Sequence, residues 1–360
     1  MKPLVLVLFV ATLAATVAAC NSGPERTILI VYSPHGEELL TEYELGFEAV
    51  NPDIDVRFLD MGSQDALDRI RSERANPQAD IWFGAPSTNF AQAEREGLLA
   101  AYRPTWADAI ADDAHSAGDF WYGTYQTPEV IAYNSNMISA DDAPQDWDDV
   151  LDPKWADQIV IRDPIASGTM RTIFAAMIIK NMPPAASDPA PESASDVAAS
   201  DIESASAPGY EWLRQLDANT KEYTLDGTIL IQKMIREEAA LTLWNMPDVE
   251  LRRALDGYPL DYVLPSSGTP VLTDAIAIVA GTENMETAQA YYEFVTNEES
   301  LALAAELFFR IPSRNDIPTE LLPEWQRDLE IPRMDMDWDM VEQYSQEWME
   351  YWDSYIRGGP

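Results

Sequence analysis

Residues 27–50 read TILIVYSPHGEELLTEYELGFEAV, and the periodicity changes partway along. TILIVYS is an almost unbroken apolar run rich in β-branched residues, as in a strand buried on both faces. After Pro34-His35-Gly36, EELLTEYELGFEAV repeats its apolar positions every three or four residues. That spacing predicts an amphipathic helix ending before Asn51-Pro52. The same switch recurs in IDVRFLDMG followed by QDALDRIRSERA, and in ADIWFGA followed by TNFAQAEREGLLA. Alternation of this kind predicts an α/β fold with mainly parallel sheets and helices on both faces. Ligands of such sheets bind outside the carboxyl ends of the strands. There this sequence carries Ser33-Pro34-His35-Gly36, Gly62-Ser63 and Gly84-Ala85-Pro86-Ser87-Thr88, three short polar segments.

A second alternating stretch starts at Tyr122. YGTYQTPEVIAYN and PLDYVLPSSGTPVLTDAIAIVAG read as extended, QIVIRDP and ALTLWN as strands, and SGTMRTIFAAMIIKNM as a helix. The expected organisation is two lobes, residues 27–124 plus 273–318 and residues 125–272. The chain crosses near Tyr125–Val130 and returns near Pro265–Thr273, and two such crossings make a hinge beside a cleft. Residues 183–208 are rich in Ala, Ser, Pro and acids, a composition that predicts a disordered acidic insertion. Residues 319–360 end in DMDWDMVEQYSQEWMEYWDSYI, expected to be helical and to pack on the lobes.

The chain has 360 residues with 62 acids against 23 bases, a formal charge of −39. A basic stripe for nucleic acid is therefore missing, and that class of partner is excluded. Acids spread over most segments fit a protein living in concentrated salt, where the Debye length falls to ~3 Å near 1 M. Residues 1–20, MKPLVLVLFVATLAATVAAC, carry a charged start, an apolar run and small residues, as an export signal does. Val17-Ala18-Ala19-Cys20 resembles the bacterial lipobox, which implies lipidation of Cys20, with 21–26 as a tether. One cysteine allows no intrachain disulfide.

At 162–173, RDPIASGTMRTI, a strand breaks into a turn and a helix begins at Ser167-Gly168-Thr169. The first amides of a helix lack partners and lie at the positive end of its dipole, so they suit an anionic oxygen. Gly168 permits close approach, the Ser167 and Thr169 hydroxyls add donors, and Arg162 and Arg171 add charge. Ser33 and His35, at the end of the first strand, would close on the same ligand from the other lobe, beside Gly84 and Ala85. Asn245, Asp248 and Asp274 would meet hydroxyls or an amine. No G-x-S-x-G elbow, HExxH or P-loop lysine motif occurs, and two histidines with one cysteine leave little for a nucleophilic triad.

VYSPHGEEL, ADIWFGA with EREGLL, DWDDVLDPKWADQIVIRDPIASGT and IPSRNDIP occur in an order that resembles the periplasmic solute-binding proteins of bacterial ABC importers. The branch is the one with ferric-iron, phosphonate and sugar-phosphate binders, and the likeness runs from about Thr27 to Pro318. It implies the two-lobe type II periplasmic-binding-protein fold. It also implies closure on a small solute and docking on a membrane permease. With the helix-start donors the expected solute is anionic, and the expected protein is a cofactor-free monomer, periplasmic or lipid-anchored at the outer face of the cell membrane. Ferric binding is the rival reading, with His35 and Glu37 as half of a hard-metal site. Ferric-binding members use adjacent tyrosines in the second lobe, however, and TLWNMPDVELRRA offers Trp244, Asn245 and Asp248 instead. A ligand sensor for a membrane kinase and a secreted hydrolase are further alternatives.

Overall fold

The computed structural model describes residues 26–183 and 199–358. The predicted export signal with Cys20, and residues 184–198 of the predicted insertion, lie outside the described residues. In the amino-terminal lobe, β1 (Thr27–Ser33) pairs in parallel with β2 (Ile54–Asp60) and β3 (Ile81–Pro86). Helices α1 (Glu37–Val50), α2 (Ser63–Ser72) and α3 (Ser87–Arg95) follow those strands in turn. The two faces of this sheet carry separate cores. One is built on Phe47, Phe83 and Tyr291, the other on Trp82 stacked on Phe90 at 4.1 Å.

The 13-residue strand β5 (Tyr122–Asn134) joins the two halves. Its first part pairs antiparallel with β10 (Val271–Val279), which in turn pairs with β3. From Glu129 onward β5 pairs instead with β8 (Leu241–Asn245) and β9 (Leu260–Val263). Beyond β8 come β6 (Ile159–Arg162) and β7 (Thr220–Thr224), both in parallel register. The order β2-β1-β3-β10-β5-β8-β6-β7 is thus parallel at its flanks and antiparallel where the chain crosses between lobes. The crossing strands β5 and β10 run in opposite directions because the chain enters the second lobe along one and leaves it along the other.

Helix α4 (Gly168–Lys180) is buried along most of its length against α5 (Ala199–Asn219). The expected disorder of 183–208 is corrected here, because residues 199–208 form the first half of α5. Ile202, Tyr210, Leu213 and Leu216 lie on one face and enter the core, and that helical spacing outweighs the Ser- and Ala-rich composition. Pro208 lies inside the helix without ending it. Gly209 lets α4 approach: a Cβ there would fall 2.4 Å from the Ile178 Cα. Gly209→Ala should therefore cost about 1–3 kcal/mol through overpacking, more than its gain in helix propensity. A lower urea midpoint at unchanged slope would show it; a higher midpoint would contradict this packing.

The remaining helices are α6 (Gly227–Ile235), α7 (Met246–Asp256), α8 (Met285–Val295) and α9 (Glu298–Phe308), with the short strands β4 (Leu99–Ala100) and β11 (Ile311–Pro312). After α9 the chain crosses a third time, through the short α10 (Glu324–Arg327) and a backbone pair between Thr269 and the 332–334 segment. It ends in α11 (Trp338–Tyr355), whose Trp348, Met349 and Trp352 enter the core around α4. An ion pair between Arg95 and Glu342 ties α11 to α3 of the other lobe.

Candidate functional site

The carboxyl end of β1 turns at Ser33, whose Oγ accepts the His35 N–H at 3.2 Å. The His35 ring packs edge-on against Phe83 and Tyr125, with centroids 4.7 Å and 5.4 Å away. Beneath it Gly84 has φ +85°, and a Cβ there would lie 2.6 Å from His35 Nε2. Burial first, and then the nearby Arg310, hold the His35 pKa well below the usual imidazole value. His35 is therefore a neutral ring at pH 7, not a cation.

On the facing lobe, Ser167 is the N-cap of α4 and its Oγ accepts the Met170 N–H at 3.3 Å. The Gly168 and Thr169 N–H groups, at the first two helical positions, have no hydrogen-bond partner. Asn245 caps α7, accepting the Asp248 N–H at 3.0 Å and donating to Asp248 Oδ2 at 2.9 Å. These two helix starts share an inner cavity of about 50 Å³ with Ser63, at the start of α2 in the first lobe. Such a volume holds a group of a few heavy atoms. The cavity continues outward, past His35, Arg162, Trp244 and Asp248, into a vestibule of about 690 Å³.

Two arginines supply positive charge. Arg162, at the end of β6, lines both spaces; burial lowers its pKa, against the pull of Asp248, Asp65 and Asp226. Arg310 is buried between α9 and β11, and its Nη2 donates to Asp248 Oδ1 at 3.0 Å and to the His35 carbonyl at 3.3 Å. It joins the two lobes across the cleft. Asp274 on β10 accepts the Thr127 hydroxyl at 2.6 Å, and burial pushes its pKa up to about 6 despite that bond and Arg310.

Four nitrogens on the cavity's lining residues are buried without a partner: His35 Nε2, Trp244 Nε1, Arg162 Nε and Arg310 Nε. Buried polar atoms are normally satisfied, so this concentration of unmet groups, together with the two free α4 amides, describes a place built for a polar solute. Residues 46–333 match the bacterial extracellular solute-binding protein family. The chain belongs to that family. A probable ABC transporter periplasmic-binding protein of Sinorhizobium fredii is 26% identical over 349 residues, covering 96% of this chain and 91% of its own. A putative 2-aminoethylphosphonate-binding periplasmic protein of Salmonella typhi is 25% identical over 312 residues, 84% of each chain. A periplasmic binding protein of Actinobacillus pleuropneumoniae, with fructose 6-phosphate bound, matches with a TM-score of 0.76 at 22% identity. That match covers 92% of this chain and 99% of the other, and at such identity it is a likeness of fold. Ferric-binding proteins share the fold as well. Membership makes this chain a solute-binding protein of the ABC-importer type, with a periplasmic place of work. Among the described residues, no helix is long and apolar enough to cross a membrane.

Of the site residues expected from sequence, the solute-binding protein brings His35, Ser167, Gly168, Thr169, Asn245 and Asp274 to one cavity. Ser33, Gly84 and Ala85 do not line it; they form its backing, Ser33 holding the His35 turn and Gly84 seating the imidazole. Arg171 is corrected: its guanidinium turns away and donates to Gln64 Oε1 at 2.9 Å and to the Ile165 carbonyl at 2.8 Å. On α4, residue 171 follows 168 by one turn, and Gln64 across the lobes claims it. Glu37 lies on the vestibule wall, but His35 is held over Gly84. Among the described residues, no group of three or more His, Cys, Asp or Glu side chains is placed to hold a metal ion. Sequence reasoning missed Arg310, Trp244's open N–H and Thr127. Arg310 directly precedes the recognised IPSRNDIP stretch, so the signal for it was adjacent.

Proposed function

We propose that this protein captures a small phosphate- or phosphonate-bearing solute between its lobes and hands it to a membrane permease. The observation that carries the reading is a cavity lined by Arg162, Arg310 and Trp244, each with a buried N–H lacking a partner, at the place where α4 begins with two open amides. Oxyanions suit such donors, because helix dipole and guanidinium act in the same sense. Asp248 and Asp274, on the same walls, suit a second, hydrogen-bond-donating end of the ligand. A tyrosine-held ferric ion fits less well: no tyrosine lines the inner cavity, and Tyr291 and Tyr292 are buried in the first lobe's core. We extend the proposal to a monomer with the lobe boundaries given above, held at the membrane by a lipid on Cys20.

A thermal-shift panel tests the ligand class, run in molar salt because the chain carries −39. Fructose 6-phosphate, an aminoalkyl phosphonate and inorganic phosphate are compared with a ferric salt. A true ligand at 100 times its Kd should add about 2.7 kcal/mol of stability. Replacing Ser167 and Thr169 together by alanine should weaken phosphate-ester binding at least tenfold, since hydrogen bonds to charged groups are worth about 1.5–3 kcal/mol each. Unchanged affinity in that double variant, or a strong visible band on adding ferric ion, would sink this reading.

A further inference from the structure

Glu129 has no task in the binding scheme described so far. It stands on β5 at the residue where pairing passes from one lobe to the other, opposite Asn245 of β8. Its backbone is fixed: the N–H donates to the Pro270 carbonyl at 3.1 Å, and its own carbonyl accepts the Thr269 hydroxyl. Two residues earlier, on the same strand face, Thr127 lines the cavity. The Glu129 side chain is 0% exposed, and neither carboxyl oxygen has a hydrogen-bond partner.

The groups packed around it come from three elements. Asp274 on β10 and Asp248 on α7 act on it through their charge, and the Thr169 hydroxyl lies close by at the start of α4. Arg310, which acts on Asp274, already serves Asp248. An ionised carboxylate there would be buried, unpaired and beside two other acids, which is costly on every count. Burial first, and then the two aspartates, drive its pKa well above the usual carboxylate value, against the opposing pull of the Thr169 hydroxyl.

We propose that Glu129 holds a proton in the unliganded protein and surrenders it when a ligand brings an ammonium group against Asp274, so that binding of cation-bearing solutes is coupled to proton release. The inference rests on the anionic-ligand reading for the ligand's other end. In the step, the Glu129 O–H bond breaks, the proton passes by way of the Thr169 hydroxyl, which lines the cavity, to water, and the ammonium keeps its own protons. The resulting carboxylate, with Asp274, then balances the ligand's positive charge. Glu129 thereby becomes a specificity-determining residue that acts through Asp274 and Thr169, which line the cavity. A ligand with only hydroxyls at that end leaves Glu129 protonated.

Two measurements decide the matter. The first needs no ligand: the infrared spectrum of the wild-type protein at pH 7 should contain a protonated-carboxyl stretch that Glu129→Gln removes. An unchanged spectrum would overturn the proposal. The second is titration calorimetry in buffers of different ionisation enthalpy, with 2-aminoethyl phosphate and glycerol phosphate as probes. The aminoalkyl probe should release about one more proton from wild type than from Glu129→Gln, and should bind the variant about tenfold more weakly. Glycerol phosphate should show the same proton count and affinity in both. Phosphate titration cancels in these differences, because each probe is compared with itself. Equal proton counts for the aminoalkyl probe would overturn the proposal. Should neither probe bind wild type, the anionic-ligand reading fails instead, while the infrared result still decides whether Glu129 stores the proton. Asp274→Asn is the second variant should Glu129→Gln not fold, with the same loss of extra proton release expected.

Discussion

Arg310→Ala is expected to destabilise the protein by about 3 kcal/mol and to abolish its response to ligand. The guanidinium is buried, and it bridges the His35 carbonyl in one lobe and Asp248 in the other. It also opposes the rise that burial imposes on the pKa of Asp274. Removing it leaves the His35 carbonyl and buried Asp274 of its own lobe without donor or counter-charge whether or not the lobes meet, and Asp248 without its partner when they do. Breaking a buried pair from one side costs more than the pair contributes. The measurement is a urea midpoint at fixed slope, together with calorimetry against the ligand found in the thermal panel. Arg310→Lys, which keeps the charge but loses the forked donors, should recover part of the stability and little of the binding. A midpoint shift below about 0.5 kcal/mol in the alanine variant, within the range of ordinary surface changes, would contradict this account.

Gly168→Ala should act in the opposite way, sparing stability and damaging affinity. The lobes touch across the cleft at this residue: a Cβ on Gly168 would fall 2.8 Å from Pro86 Cδ and Cγ and 3.0 Å from Ser63 Oγ. Pro86 and Ser63 belong to the first lobe, so the overlap arises only when the lobes meet. Gly62 makes a similar meeting from the other side, with a Cβ falling 3.0 Å from the Ala166 carbonyl. An overpacking cost of about 1–3 kcal/mol, levied on the closed form alone, becomes a ten- to hundredfold loss of affinity. Unliganded stability should change by less than about 1 kcal/mol, since alanine is the better helix former at an otherwise open position. Small-angle scattering with and without ligand would report the expected failure to compact. Full compaction and unchanged affinity would show that the lobes do not need this glycine.

Much of the site was legible before the fold was known, because certain local patterns have few meanings. Ser-Gly-Thr after a strand announces a helix start with spare amides, and Ser167, Gly168 and Thr169 do line the cavity. Asn245 was expected beside the ligand and does line the cavity, but its capping of α7 through the Asp248 N–H was not foreseen. Arg171 was misplaced for a physical reason: one turn along α4, its long side chain reaches either the cleft or Gln64, and only the neighbouring lobe decides. Composition misled at 199–208, where Ile202 alone among Ser and Ala continues the helical register of Tyr210, Leu213 and Leu216.

By itself the sequence determined the alternation of strands and helices, the acidic surface, and the polar turns at the strands' carboxyl ends. These are properties of neighbours in the chain, fixed by periodicity and turn chemistry. Only the tertiary structure decided which residues meet from far apart: Arg310 with Asp248 and the His35 carbonyl, Gly168 with Pro86, and Glu129 with Asp274. Their pKa shifts, unmet donors and closing contacts come from desolvation and from the packing of one lobe on the other, and no local pattern encodes either.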